Sequence, residues 1–269
     1  MASPATDGAK PLITAPKPVT AALVFVGETW HLAAQAAAVI LRGRADARNT
    51  IAQMAAIGAD SIPIVALTTL STGAVLAFYT AGIFVRFGAS SFAGGVLTLS
   101  FLLELGPLLA GIMVAARSGA AIAAEIGSMV VTEQVDALRS MAVSPVRYLV
   151  APRLLACVVM MPIVGLFADA GGITGAFVMS GAQGVTAQAF LESARTYATE
   201  ADLLKGLVKT LWFGLTVACV ACRQGLRTER GAAGVGRSTT SSVVICVVLI
   251  FVSDFFLAQV LSGASVAIQ

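Results

Sequence analysis

The sequence predicts an all-α integral membrane protein. Hydrophobic residues make up 58% of its 269 residues and charged residues only 12%, whereas soluble domains are about 25% charged. The mean hydropathy is +0.90. The apolar residues gather in stretches of about 20, the length that an α-helix needs to cross a bilayer. From these stretches we expect an N-terminal interfacial amphipathic helix and five transmembrane helices, with a short cytoplasmic helix between the second and third spans.

The N-terminal region divides into a polar tail and an apolar helix. Residues 1–19 are rich in Pro, Ala and Thr and are predicted to be disordered. Residues 21–41 are apolar, but Glu28, His31 and Gln35 recur there at helical spacing. One polar stripe on an apolar helix is typical of a helix that lies in the membrane interface. A true membrane span is the alternative for this segment.

The single domain predicted over residues 20–269 contains five apolar stretches that are long enough to span the membrane. They lie at about residues 62–85, 92–116, 149–180, 203–221 and 243–261. Three of these spans hold a carboxylic acid, namely Glu104, Asp169 and Asp254. A carboxylate within a span must be paired, protonated or exposed to a cavity. Each acid is therefore a candidate functional residue.

The positive charges orient the predicted spans. Residues 183–202 and 223–240 are polar and are predicted to be extramembrane loops. If the N-terminus is cytoplasmic, most lysines and arginines lie on the cytoplasmic side, as the positive-inside rule requires. Those that lie outside or near the outer face are Arg86, Arg195, Lys205 and Lys209. The N-terminus and residues 117–145 are therefore expected in the cytoplasm, and the C-terminus is expected outside.

The central segment, residues 117–145, is charged and helix-forming and lies between two spans. Thr132 is predicted to cap a short helix that runs through Met141. Glu133 and Asp136 lie near its start and Arg139 near its end, as the helix dipole prefers, and Asp136 can pair with Arg139. An apolar ridge of Val135, Leu138 and Met141 completes an amphipathic surface. Such a helix can dock into a groove of a soluble partner, or it can rest on the bilayer.

The sequence carries no enzyme motif. It lacks G-x-x-x-x-G-K-[ST], so no loop of that kind cradles a nucleotide phosphate. It has one histidine, and its acids are scattered over separate spans. Cys219 and Cys222 have the spacing of metal ligands, but no second Cys or His pair accompanies them. We therefore expect no directly bound cofactor and no metal, and the cysteines are expected to be packed apolar side chains.

A long run of this sequence resembles the MlaE/YrbE family of permeases. The run is LGPLLAGIMVAARSGAAIAAEIGSMVVTEQVDALRSMAVSPVRYLVAPR, residues 105–153, preceded by Glu104. Its core pieces are ELGP, RSG, AEIGSM, TEQVDAL and SPVRYLVAPR, and weaker similarity extends to the last span, which includes Asp254. At residues 144–145 this sequence has SP where the family more often has DP, so a polar role for that acid does not carry over.

The resemblance implies the membrane subunit of a lipid-transporting ABC system that works with MCE proteins. It implies two permease copies, identical or related, around a lipid cavity, a separate cytoplasmic ATPase that supplies ATP hydrolysis, and a ring of MCE subunits outside. The cargo is expected to be a phospholipid or a related acyl lipid, or, as in actinobacterial relatives, a fatty acid or a sterol. The membrane is expected to be a bacterial inner membrane, and plastid inner envelopes have similar permeases.

The resemblance also assigns roles to residues. Residues 132–141 become a coupling helix that sits on the ATPase. The residues expected at that contact are Glu125, Thr132, Glu133, Gln134, Asp136, Leu138, Arg139 and Met141. The residues expected at the lipid cavity or its gate are Glu104, Leu103, Tyr79 and Leu76.

Two other functional classes remain open on the residues alone. One is an ion- or proton-coupled secondary carrier of a hydrophobic substrate, with Glu104, Asp169 and Asp254 as its relay. Inverted repeats would favour that class, and no repeat is evident between the two halves. The other is a membrane scaffold without transport, which predicts no cavity and tolerates the loss of Glu104.

Overall fold

A computed structural model describes residues 17–43, 46–229 and 231–266, and these residues are α-helical apart from short turns and connections. The longer helices are α1 (Lys17–Leu41), α2 (Ala47–Ile57), α3 (Ile62–Arg86), α4 (Ala93–Ser100), α5 (Gly106–Val114), α6 (Ala120–Val131), α7 (Gln134–Ser140), α8 (Ala151–Ala182), α9 (Ala187–Tyr197), α10 (Glu200–Leu226) and α11 (Ala232–Val266). Short π-helical turns join α4 to α5 at Phe101–Leu105 and α5 to α6 at Ala115–Gly119, and another precedes α8 at Val146–Val150.

Six helical segments within this described part are long and apolar enough to cross a membrane. Five of them contain the five predicted spans, and they are Ala47–Arg86, Ser90–Val131, Val146–Ala182, Glu200–Leu226 and Ala232–Leu261. The sixth is Leu23–Leu41, the segment predicted to be interfacial with a span as the alternative. Its length and composition suit either arrangement. The chain is thus an all-helical, multi-pass membrane protein.

The N-terminal helix is longer than predicted. It begins at Lys17, so the end of the tail predicted to be disordered is helical, and residues 1–16 lie outside the described residues. A helix that we did not predict, α2, follows it. The Asp46 side chain caps α2 by accepting a hydrogen bond from the backbone N–H of Arg48 at 3.1 Å. This cap explains why a polar, charged stretch becomes helical.

The helix that contains the second predicted span extends far beyond residue 116. The helix from Ser90 to Val131 has 42 residues, or roughly 63 Å at 1.5 Å per residue. That is about twice the thickness of a bilayer core, so one end projects from the membrane. The first half of the central segment therefore continues this helix, and the predicted span at residues 92–116 is its N-terminal part. The Arg117 side chain donates hydrogen bonds to the Ala56 carbonyl at 2.9 Å and to Ser61 at 3.0 Å.

The core is centred on α8, which packs against α3 and α10. The close approach of α3 and α8 depends on glycine, because a Cβ on Gly73 would lie 2.0 Å from the Gly172 carbonyl oxygen. Small residues of this kind let membrane helices pack at short distance. Met161, Phe213 and Ile250, from α8, α10 and α11, are fully buried in the same core. This helix group positions the polar side chains described below.

A second, smaller core lies around α9. Residues 183–202, predicted to be a loop, contain this helix, which Thr186 caps by accepting a hydrogen bond from the Ala189 N–H. Phe190 is buried against α3, α4 and α8 residues, and the Ser193 hydroxyl accepts a hydrogen bond from the Gly95 N–H at 2.9 Å. The prediction missed α9 because its apolar face is short and its average hydropathy is low.

Candidate functional site

A π-helical turn at Phe101–Leu105 interrupts the second span where Glu104 lies. The Gly106 N–H bonds back five residues to the Phe101 carbonyl. The next residue, Pro107, has no N–H to donate, which leaves the carbonyls of Leu102 and Leu103 without their usual helical partner. An unpaired carbonyl within a membrane is costly. The turn therefore needs a donor from another helix.

Lys209 of α10 supplies that donor. Its Nζ donates a hydrogen bond to the Leu103 carbonyl at 2.8 Å and another to Glu104 Oε2 at 2.6 Å. Asp254 Oδ1 of α11 lies 3.0 Å from the same Nζ. We call these three ionisable residues the Lys209 cluster. One ammonium group thus joins three spans through three oxygen atoms.

The approach of α10 to the π-helical turn requires glycine at position 206. A Cβ there would lie 2.2 Å from the Leu102 carbonyl oxygen and 3.3 Å from the Pro107 ring. Gly206 and Lys209 are three residues apart, so they lie on the same face of α10. This face receives both carbonyls that Pro107 leaves unpaired.

The members of the Lys209 cluster differ in their exposure. The side chain of Lys209 is 2% exposed and that of Asp254 is 13% exposed, whereas that of Glu104 is 46% exposed. Two carboxylates share one ammonium, so the charges do not cancel when all three are ionised. Ionisable residues within a span face the bundle interior or a water-filled cavity. The exposed side of Glu104 is therefore expected to face water or a polar surface rather than acyl chains.

The other residues predicted at the cavity lie in different surroundings. Leu103 contributes its carbonyl to the Lys209 cluster. Tyr79 is 66% exposed, and its ring packs edge-on against Phe78 at 5.2 Å. Leu76 is half-buried and packs against the smaller core. Within the described residues, only Leu103 and Glu104 of the four predicted cavity residues contact Lys209.

Asp169, the third acid of the alternative relay, is close to the turn but is not in the Lys209 cluster. It is 5% exposed on α8, and a Cβ on Gly106 would lie 1.7 Å from its Oδ1. This oxygen has no hydrogen-bond partner in the described part of the chain. Asp169 therefore packs against the helix two residues beyond Glu104.

Lys209 is the residue that the sequence reasoning missed. It was placed outside or near the outer face and was not named as a site residue, and the structure buries its side chain between helices. The sequence reasoning began the span at residue 203 and so placed Lys209 near its start. Thr199 and Asp202 form a capping box that starts α10 at Glu200, so Lys209 lies roughly 14 Å along the helix. Two unpaired acids in neighbouring spans were the available signal that a buried cation was needed.

The central segment contains the short helix α7, with different end contacts from those predicted. Thr132 is not its cap, because the Thr132 hydroxyl donates back to the Ser128 carbonyl at 2.8 Å. Glu133 occupies the cap position with a positive φ of 60°. This left-handed turn reverses the chain after α6. The Gln134 side chain then donates a hydrogen bond to the Thr132 hydroxyl at 3.0 Å.

The exposed face of α7 is polar. The predicted pair is present, with Arg139 Nη1 donating to Asp136 Oδ1 at 2.9 Å. The predicted apolar ridge is only partly available, because Val135 is buried, Leu138 is half-buried and only Met141 is exposed. A partner would therefore meet charged and amide groups with one apolar side chain at the end.

Glu125, also predicted to contact the ATPase, forms an ion pair with Arg153. Its Oε2 lies 2.7 Å from Arg153 Nη2, and the Arg153 side chain is only 3% exposed. Arg153 also donates to the Leu149 carbonyl at 2.8 Å. This pair ties α6, which leads into α7, to the start of α8. It offers a mechanical connection from α7 to the core.

Known proteins are similar to this chain over most of its length. The family described as Permease MlaE matches residues 50–260. A probable ABC transporter permease protein of Synechocystis is 42% identical over 220 residues, which cover 81% of this chain and 84% of the relative. One from Rickettsia felis is 43% identical over 210 residues, or 78% of this chain and 81% of the relative.

A plant relative extends the comparison. The chloroplastic protein TRIGALACTOSYLDIACYLGLYCEROL 1 of Arabidopsis thaliana is 36% identical over 229 residues, which cover 85% of this chain and 65% of the relative. The residues matched by the family model include the π-helical turn, Lys209, Asp254 and α7. On these matches and the helical fold, the chain belongs to the MlaE permease family and is a membrane-embedded permease of an ABC transporter.

Proposed function

We propose that this permease moves phospholipid or a related acyl lipid between the membrane and MCE-type partner proteins, driven by a separate ATPase. The observation that carries the proposal is Glu104, a half-exposed acid anchored by the buried Lys209 inside a span. Exposed apolar side chains surround most of the bundle and suit acyl chains. The name of the Arabidopsis relative is that of a galactolipid, which supports a lipid as cargo.

A second copy of the permease, or a related one, completes the cavity in this proposal. The partner covers the exposed side of Glu104, and the space between the copies holds the lipid. Glu104 and Leu103 lie at the headgroup or gate, and Tyr79 and Leu76 of α3 lie along the acyl chains. MCE subunits receive or deliver the lipid at the outer side.

The ATPase acts through α7 in this proposal. Glu133, Gln134, Asp136, Arg139 and Met141 make the contact, while Thr132 and Leu138 support the helix. The Glu125–Arg153 ion pair passes the movement of α7 to α8. The permease binds no cofactor directly, and ATP enters through its partner.

The proposed setting is a bacterial inner membrane with the N-terminus in the cytoplasm and the C-terminus outside. In this orientation α7 faces the cytoplasmic ATPase. The N-terminal helix lies in the interface, and Glu28 anchors it to α10 through Arg223 at 2.7 Å and through Arg227.

One observation favours a second candidate, a proton-coupled carrier. Glu104 and Asp254 share a single lysine, and such groups occur in proton relays. Asp169 lies near them as the third acid. The two candidates differ in their energy source, so transport can separate them.

The test uses the complete complex, purified from its native membrane in mild detergent and analysed by mass spectrometry for proteins and lipids. We expect an ABC ATPase, MCE-domain subunits and a bound acyl lipid. In vesicles, transport of a fluorescent phospholipid should require ATP and survive collapse of the proton gradient, and Glu104→Gln should slow it. Recovery of the permease alone, with transport driven by a proton gradient, would support the secondary carrier instead.

A further inference from the structure

A cavity of about 780 Å³ lies outside the Lys209 cluster, between the end of α1 and the segment that follows α7. Its lining residues are Val39, Arg42, Gly43, Asp46, Ala142, Val143, Ser144, Arg147 and Tyr148. This volume falls within the range of about 300–1,000 Å³ that is usual for small-molecule sites. No role proposed above uses this cavity.

The two walls of the cavity are joined at their base. The Asn49 side chain of α2 donates a hydrogen bond to the Tyr148 carbonyl at 3.3 Å. Asp46 is held at the start of α2, where its side chain accepts from the Arg48 N–H and its carbonyl accepts from the Thr50 hydroxyl at 2.7 Å. Ala142 has a positive φ of 58°, which turns the chain away from α7. These contacts connect α2 to the segment after α7 beside the cavity.

The cavity suits an anion. Two arginines line the cavity, Arg42 at the end of α1 and Arg147 in the segment that follows α7. Among the described lining residues, the acid is Asp46, and its side chain caps α2. The N-terminal end of α2 adds a partial positive charge at the same place. Ser144 and Tyr148 add hydroxyl groups that can donate to phosphate oxygens.

The rim of the cavity favours a lipid over a free phosphate ion. Leu41 beside Arg42 is 87% exposed, Val143 is 37% exposed and Tyr148 is 48% exposed. Apolar side chains beside a basic cavity provide room for acyl chains next to a charged headgroup. Basic pockets between membrane helices on the cytoplasmic side bind anionic lipid headgroups.

We infer that this cavity binds the phosphate-bearing headgroup of an anionic phospholipid from the cytoplasmic leaflet, with Arg42 and Arg147 clamping the phosphate. The cytoplasmic placement rests on the proposed function. One wall follows α7 directly, so a bound headgroup braces the segment through which the ATPase acts. The site thus makes the lipid composition of the membrane a regulator of coupling.

The test measures lipid binding to the purified, delipidated full-length permease by native mass spectrometry. Dioleoylphosphatidylglycerol and dioleoylphosphatidylcholine are added separately. We expect tighter binding of phosphatidylglycerol, and a loss of about fivefold for each arginine in Arg42→Gln/Arg147→Gln. Arg42→Lys/Arg147→Lys should retain part of the preference, because both positive charges remain.

The matched control is Arg86→Gln/Arg195→Gln, which removes the same charge from two exposed arginines of α3 and α9. It should bind phosphatidylglycerol as the unchanged protein does. Equal loss in both double variants would overturn the inference, because general charge attraction would then explain the binding. Displacement of the lipid by millimolar inorganic phosphate alone would identify a free-anion site and would also overturn it.

The ATPase is the remaining possible occupant. If Arg42→Gln/Arg147→Gln reduces co-purification of the ATPase and leaves lipid binding unchanged, the cavity is a protein-docking site and the lipid inference is wrong. Lipid binding is measured on the permease alone, so it does not depend on ATPase assembly or transport. Failure of the proposed transport function therefore gives a different result from failure of this site.

Discussion

Lys209 provides the positive charge of the proposed site. Its ammonium group is almost completely buried, yet it contacts two carboxylates and a backbone carbonyl that Pro107 leaves unpaired. Removing one member of a buried ion cluster lowers the free energy of unfolding by more than the intact cluster adds to it. The reason is that the remaining charges stay buried without a partner. The cluster is therefore sensitive to the loss of its only cation.

The first prediction concerns Lys209→Met. This change leaves Glu104 and Asp254 without a cation and should destabilise the protein by about 3 kcal/mol, the lower end of the range for buried pairs because Glu104 is half-exposed. The measurement is thermal unfolding of the purified protein in detergent. Adding Glu104→Gln and Asp254→Asn to Lys209→Met should restore much of the lost stability, because no uncompensated charge then remains.

Lys205→Met is the matched control for that prediction. Lys205 lies one turn earlier on α10 and pairs with Asp202 at 3.1 Å near the helix start. The loss of this ion pair should lower the free energy of unfolding by less than about 1 kcal/mol. If the two lysine variants are equally stable, the Lys209 cluster does not hold the spans together.

At the scale of the helix, the π-helical turn and α10 fit each other. The turn exposes two carbonyls, and α10 brings a glycine to one and a lysine to the other. The fit requires Gly206 because any Cβ would strike the Leu102 carbonyl. The position of Glu104 therefore depends on a residue that carries no polar side chain.

The second prediction concerns Gly206→Ala. The added methyl group should separate α10 from the turn and lengthen the distance from Lys209 Nζ to the Leu103 carbonyl oxygen. This overpacking should lower the free energy of unfolding by about 1–3 kcal/mol. Gly236→Ala is the control, since nothing lies within 4 Å of its added Cβ, and it should be neutral or stabilise α11 by up to about 1 kcal/mol. Thermal unfolding of both variants checks this. An unchanged melting temperature for Gly206→Ala would show that α10 can shift without loss.

The third prediction concerns α7. Glu133→Lys/Asp136→Lys reverses two exposed charges and should uncouple the ATPase, so that ATP hydrolysis by the complex no longer drives lipid transport. Asp136 also loses its pair with Arg139. Glu192→Lys/Glu200→Lys makes the same change in charge in α9 and at the start of α10 and should leave coupling intact. Normal co-purification and normal transport in the α7 variant would contradict the docking assignment.

At the scale of the whole molecule, ion pairs and hydrogen bonds tie the helix ends to the core. Arg117 joins α2 and the start of α3 to the helix that leads to α7, Arg153 joins α6 to α8, and Arg223 joins α10 to α1. The bundle is thus braced by arginines near one end and by Lys209 along its length. In the proposed dimer, the side that exposes Glu104 faces the second copy.

The fourth prediction tests that second copy. The four natural cysteines, Cys157, Cys219, Cys222 and Cys246, are buried, so a new exposed cysteine can be labelled selectively. In the assembled complex, Tyr79→Cys should react with a membrane-impermeant thiol reagent because it faces the proposed cavity. Val178→Cys, which replaces an equally exposed residue of α8, should face the surrounding bilayer instead of the cavity and stay unlabelled. Equal labelling of the two would argue against a cavity beside α3.

The sequence by itself determined the fold class and the spans. Long apolar stretches have few stable forms in a membrane, since the backbone must satisfy its own hydrogen bonds, and composition alone therefore predicts a helical bundle. The match around residues 105–153 predicted the permease family, which the comparisons confirm. Glu104 and Asp254 were also identified from the sequence, because an acid inside an apolar span is conspicuous.

Only the tertiary structure decided which residues act together. Lys209 and Glu104 are far apart in the chain, and no local pattern predicts that Pro107 frees a carbonyl for a lysine on another helix. The same is true of Glu125 with Arg153 and of the cavity between Arg42 and Arg147. Helix propensity and hydropathy depend on residues that are neighbours along the chain. The contacts of these charged residues depend instead on how separate helices pack, so the packing selects the partner of each charge.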